Sequence, residues 1–294
     1  MTWQLLLIAY LILGTATYLF QRTLGKRFAE HRRLISGFFF LVLHYPSGLL
    51  VAAYLSPHLA IGWLNILILL IGSWVFPLIN VLSIRASKDV DAGLFSILVN
   101  LAPVVTIIGA TLLLKESLTN NQLLGAAIIL ASAFLATLPN LSRRAKAKPS
   151  GVLIVLAIVL LSGLATIYER WMLGRIDLGS YMVFGWGAQT LWMTLMAWPE
   201  RKNLKVLLPR EKLLPMLGFG LASSIKGICF IAALKLNGNA SMVSAITAFI
   251  PVMVVPAAFI FLRERKWLWF KLAAALVGTA GLIILNGAWP SLAR

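Results

Sequence analysis

Charge is scarce in this sequence of 294 residues: Asp, Glu, Lys and Arg together make up 12%, about half the share usual in a soluble domain. With 60% apolar residues besides, the chain cannot clothe itself in water, and its class is integral membrane. Acid is the scarcest commodity. Nine Asp and Glu stand against 26 Lys and Arg, for a net charge of +17. Such a surplus would fit nucleic acid, but the basic residues lie in short segments between apolar runs, as they do in loops on one membrane face. No nucleic-acid partner is expected. Cysteine occurs once, as Cys229 inside an apolar run, which excludes a disulfide framework and a thiolate metal cluster. Paired mid-span carboxylates, a Gly-rich phosphate loop and metal-ligand spacing are all missing, so no catalytic residue, metal or cofactor is expected and the chain is not read as an enzyme. Its longest loops hold about a dozen residues, too short for a soluble catalytic domain. No basic residue precedes the first apolar run and no small-residue cleavage site follows it. That run reads as a retained span and not as a signal peptide.

Long apolar runs are what the sequence does have, and its mean hydropathy is +0.91. A bilayer-spanning helix needs about 20 mostly apolar residues. By that measure the chain divides into ten spans, numbered here in order. The first five are Thr2–Phe20, Leu34–Leu55, Leu59–Ile84, Ala92–Leu114 and Gln122–Leu138. The second five are Gly151–Trp171, Ser180–Trp198, Leu213–Leu234, Ala240–Leu262 and Trp267–Asn286. Between the sets, Ser142 to Pro149 is the most linker-like piece. The expected organisation is a first repeat over 1–140, a basic linker over 141–150 and a second repeat over 151–290. Trp3, Trp63, Trp198, Trp267, Trp269 and Trp289 fall near span ends, as an aromatic belt requires.

The two sets match at an offset of 148 residues. Pro103-Val104 falls on Pro251-Val252, and Lys115-Glu116 on Arg263-Glu264. Arg22 falls on Arg170, Gly37 on Gly185, Gly72 on Gly220 and Ser96 on Ser244. A duplication of five spans accounts for this. Five is odd, so the second copy enters the membrane the other way up, the inverted repeat that recurs in transporters. The fold class expected is therefore all-α integral membrane, ten helices in a 5+5 inverted-topology repeat. Loop charge sets the orientation. With both termini outside, the inner loops hold 19 of the 26 Lys and Arg, a bias that normally decides insertion. The expected location is the cytoplasmic (inner) membrane, multi-pass.

Ten spans, the five-plus-five repeat, and fourth and ninth spans of the form Pro-Val, an apolar run, then Lys/Arg-Glu resemble the drug/metabolite transporter superfamily, with the EamA-type branch the nearest. The strongest pieces are Ala92–Ala136 and Ala240–Ile284. The resemblance implies secondary transport of small metabolites, often export of amino acids or related compounds, through a cavity between the halves. It also implies that Pro103 and Pro251 break their spans and that Glu116 and Glu264 are span-end carboxylates. No substrate motif is shared across the family, so no substrate site carries over. Members of the family usually carry a basic loop between spans two and three and are drawn with both termini in the cytoplasm. Here Ser56-Pro57-His58 holds no Lys or Arg, and the basic loop follows span one.

Ionisable groups at mid-bilayer cost about 2.5–3.5 kcal/mol even on lenient scales, so each that appears there is a functional hypothesis. Lys226, beside Ser223, Ser224 and Gly227, is either a fixed cation for a substrate carboxylate or phosphate, or a snorkelling or Glu169-paired structural charge. His44, in Leu43-His44-Tyr45-Pro46, titrates where a proton gradient can use it, so a proton is a possible coupling ion. Its structural alternative is a bond to a carbonyl freed by Pro46. Asn100 and Gln189 are mid-span amides that fit either substrate binding or helix association, and Trp186 and Trp192 either line a cavity or fill a core. Arg22, Glu169 and Arg170 are candidates for a cavity mouth, against headgroup anchoring. Glu116 and Glu264 fit capping of the next span or a local ion pair better than gating. The repeat fails at His44 against Trp192, at Lys226 against Leu78 and at Asn100 against Ala248, and substrate is expected where it fails.

The function these residues point to is alternating-access secondary transport of a small metabolite, an amino acid or related compound, with export expected. Its partners would be the small-molecule substrate and the bilayer. A nucleotide-sugar or lipid-linked sugar carrier of the same architecture is the nearer rival and would need a larger, more basic cavity. A membrane-embedded enzyme or receptor is the more distant one.

Overall fold

A computed structural model describes residues 2–89, 98–99, 101–116, 118–141, 149–207, 209–237, 239–250, 252–254, 257 and 268–285. Among the described residues every regular element is helical. Five helices are long and apolar enough to cross a membrane: Trp3–Gln21, Arg32–Leu55, Trp63–Ala86, Ser150–Leu173 and Arg210–Asn237. They correspond to spans one, two, three, six and eight. Shorter helices supply the others, with Ala102–Leu113 in span four, Asn120–Leu141 as span five, Trp186–Ala197 in span seven, Ala240–Thr247 in span nine and Leu268–Leu285 as span ten.

The chain divides into two compact units that do not coincide with the sequence halves. The first comprises Met1–Asp89 and Tyr168–Leu236, the second Val90–Ile167 and Asn237–Arg294. The core of the first unit gathers Leu24, Leu34, Ile35, Phe39, Phe40, Val81, Ile84, Met193, Leu207, Met216 and Phe219, from spans one, two, three, seven and eight and the segment after span seven. Prolines shape these helices. In span two, Pro46 has no N–H to donate, and the turns before it widen into a π-helical segment, Phe39–His44, before Tyr45–Leu55 resumes. Span three is interrupted at Ser73-Trp74 and restarts at Val75–Asp89 with Pro77 in its first turn, where a missing N–H costs nothing. Span seven carries its own π-helical segment, Tyr181–Gly185. Asp177 begins that span by accepting the Ser180 N–H at 2.8 Å. Burial pushes the Asp177 carboxyl up, but bonds from the Ser180 hydroxyl and N–H and from the His58 N–H outweigh it and hold the group below its ordinary range.

The second unit is built on small residues. A side chain at Gly125 in span five would strike the backbone of Leu285, and one at Gly278 in span ten would strike Ser132 and Phe249. Gly281 likewise lies against Ile128 and Ile129. With little hydrophobic drive between helices in lipid, this close approach gives two spans their contact area. Thr106 donates to the carbonyls of Ala102 and Gly163, so span four is also tied to span six.

Candidate functional site

Four buried polar side chains of the first unit form a continuous chain across three spans. The Nε2 of His44, in span two, lies 3.2 Å from Oε1 of Gln189 in span seven. The Gln189 side chain also pairs with the hydroxyl of Tyr181 in the same span. That hydroxyl donates to Oε1 of Glu169, in span six, at 3.3 Å. An amide oxygen only accepts, so Nε2 of His44 carries the hydrogen and Nδ1 is a bare acceptor. Every donor in the chain then points toward Glu169. Exposure is 8% at His44, 3% at Gln189, 0% at Tyr181 and 6% at Glu169, so water screens little of it.

The His44 ring is held from several sides. It stacks on the indole of Trp186 with centroids 3.7 Å apart and planes at 19°, lies tilted against Phe39 and meets Phe40 edge-on. Glycines make the stack possible. A Cβ at Gly48 would fall 2.5 Å from the Trp186 ring, and Gly227 of span eight lies against the same indole and the imidazole. Gly220, Ser223, Ser224 and Gly227 share one face of span eight by their three- and four-residue spacing. Gly220 meets Leu43 there, next to His44. Nδ1 of His44 and the hydroxyls of Ser223 and Ser224 are buried without a partner. A buried polar atom left without a partner is costly.

Lys226 is partly buried, with its Nζ 5.7 Å from the centre of the Tyr10 ring in span one. Tyr10 also packs against Phe230, and the Glu169 carboxyl is close enough for its charge to act on Tyr10, Tyr168 and Tyr181. Among the described residues Lys226 and Glu169 form no ion pair with each other. Lys226 and Glu169 thus each lie near Tyr10 without pairing with one another. Tyr168 is placed by the interruption in span three, where its hydroxyl donates to the Ile68 carbonyl and Gly72 leaves room for its ring.

The structure brings together four of the residues singled out by sequence, His44, Gln189, Trp186 and Glu169, and places Lys226 beside Tyr10. Others lie elsewhere. The indole N–H of Trp192 donates to the Leu70 carbonyl at 2.7 Å, a tie between spans seven and three. Pro103 lies in the first turn of Ala102–Leu113. Glu116 accepts the backbone N–H groups of Ala240 at 2.8 Å and Ser241 at 3.3 Å. It therefore caps span nine. Arg170 is half-buried at the end of span six. Asn100, Pro251 and Glu264 lie outside the described residues, as does the side chain of Arg22. Sequence reasoning passed over Tyr10 and Tyr181, whose only signal is a hydroxyl at a depth where an unpartnered one is costly.

The EamA-like transporter family model matches the sequence twice, over residues 1–138 and 149–287. The chain belongs to this family. It is accordingly a membrane transporter of the drug/metabolite superfamily, with the ten-helix, two-repeat fold. No curated protein matches it. A solved structure described as "Crystal structure of protein" is similar over 97% of this chain and 98% of its own, at a TM-score of 0.68 and 14% identity. At that identity the likeness concerns the fold alone.

Proposed function

We propose that this EamA-type transporter moves a small zwitterionic metabolite, an amino acid or related compound, outward across the cytoplasmic membrane by alternating access. Substrate binds at the buried polar cluster, which takes Tyr10 and His44 from the first repeat and Glu169, Gln189 and Lys226 from the second. The observation that carries this is that two ionisable side chains, Lys226 and Glu169, both lie near Tyr10 without an ion pair between them. A substrate carboxylate meets Lys226 and a substrate ammonium meets Glu169, each exchanging water for a charge-assisted hydrogen bond. His44 supplies proton coupling, because its ring already donates into the chain that ends at Glu169 and its Nδ1 is open to a second proton.

Binding of radiolabelled amino acids to the purified full chain tests this reading. Leaving a buried charge without its partner typically costs 2–5 kcal/mol. Lys226→Met is therefore expected to weaken binding of an accepted amino acid at least about thirtyfold. His44→Gln is expected to remove the response of transport to an imposed pH gradient. Wild-type affinity in Lys226→Met, or an unchanged pH response in His44→Gln, contradicts the corresponding assignment.

A further inference from the structure

The segment Trp198–Leu207, which joins spans seven and eight, is a helical strap of ten residues. Its place between two span ends puts it at headgroup level. The strap is anchored at its far end, where Leu207 is 5% exposed in the core with Leu24, Leu34 and Met216. Along the rest of its length it displays two kinds of side chain together. Trp198 and Leu204 are 58% and 54% exposed. Arg201, Lys202 and Lys205 are exposed among them.

The cations are organised. In a 3-10 helix residues three apart eclipse, so Trp198, Arg201 and Leu204 form one ridge. Arg201 lies over the Trp198 ring, its guanidinium carbon 4.7 Å from the centroid, and one of its N–H groups donates to the Trp198 carbonyl at 3.0 Å. Its remaining donors stay available. The only acid of the strap, Glu200, is answered by Arg33 of span two at 3.7 Å. Among the described residues no acid answers Arg201, Lys202 or Lys205, which stand next to an exposed indole and an exposed leucine.

We propose that Trp198–Leu207 is a docking site for the headgroup of an anionic phospholipid of the phosphatidylglycerol type. The lipid phosphate engages Arg201, Lys202 and Lys205, while Trp198 and Leu204 sit against the glycerol and upper acyl region. Charge selects the anion, and the exposed indole and leucine select a lipid over an acidic soluble protein, since such side chains are at home at the membrane interface. The inference rests on the membrane fold and not on the substrate assigned above.

Native mass spectrometry of the full chain, equilibrated in detergent with equimolar phosphatidylglycerol and phosphatidylcholine, tests it. The wild type is expected to retain phosphatidylglycerol preferentially. Each cation near an anionic headgroup is worth about fivefold in affinity, so R201Q/K202Q/K205Q is expected to lose about a hundredfold. K202Q/K205Q changes only exposed side chains and is expected to lose about twenty-five-fold, which separates loss of charge from loss of fold. Removing as many charges elsewhere, in K115Q/R175Q, is expected to leave the preference intact. Equal retention of both lipids by the wild type, or undiminished phosphatidylglycerol retention by the triple variant, would overturn the proposal.

Discussion

Gly48 leaves room for Trp186, and Trp186 in turn carries the His44 ring. A side chain at position 48 meets the indole at once, so Gly48→Val forces either the ring or the span two backbone to move. Overpacking of this kind typically costs 1–3 kcal/mol. We expect Gly48→Val to lower the Tm of the detergent-solubilised protein by several degrees and to weaken substrate binding with it; an unchanged Tm would mean that the stack constrains nothing. Single residues were partly legible in the sequence. His44, Gln189, Glu169 and Lys226 stand out because an ionisable or amide group deep in an apolar run has few reasons to be there. Tyr181 does not stand out, since a tyrosine fits a core, an interface or a polar chain equally well. Its role emerges only when Gln189 on one side and Glu169 on the other are placed against it.

At the scale of elements, the helix ends show where sequence reasoning stops. Lys115-Glu116 was readable as a cap, and the natural candidate was the next span along the chain. The carboxylate closes the amino terminus of span nine, over 120 residues away. Nothing local in the sequence encodes that choice, because it depends on which helix end the packing brings to Glu116. Asn239 caps the same turn through the N–H of Met242, so loss of either leaves the other. Glu116→Ala is expected to cost about 0.5–2 kcal/mol and to speed hydrogen exchange at the amides of Ala240 and Ser241, with protection unchanged if the cap is idle. The π-helical segments were likewise invisible, although Pro46 explains the one in span two. At the start of span seven, Asp177 has a depressed pKa, so its contribution to stability is present above the ordinary carboxylate range near 3.9 and is lost as pH falls through the lowered value. Asp177→Asn should therefore flatten the acid limb of a Tm-versus-pH curve below about pH 4 while leaving its neutral limb parallel to that of the wild type.

For the whole molecule, the 148-residue repeat gave the span count, the fold class and the function class, and the family match rests on the same two stretches. The repeat does not give the compact units, each of which takes spans from both halves. That mixing follows from inversion: a span and its copy run in opposite senses, so a shared region draws on both. The cluster around Tyr10, His44, Glu169, Gln189 and Lys226 is an instance, and its members sit where the two copies differ. Loop charge predicts a cytoplasmic 142–149 loop, and on that prediction a cysteine introduced there resists an impermeant thiol reagent in intact cells. Rapid labelling would reverse the orientation. The account stands most directly on transport itself. Proteoliposomes holding the full chain, given radiolabelled amino acids and a pH gradient, should accumulate at least one of them with the wild type and none with Lys226→Met or Glu169→Gln. Absence of any amino-acid flux in the wild type, or wild-type flux in both variants, would contradict it.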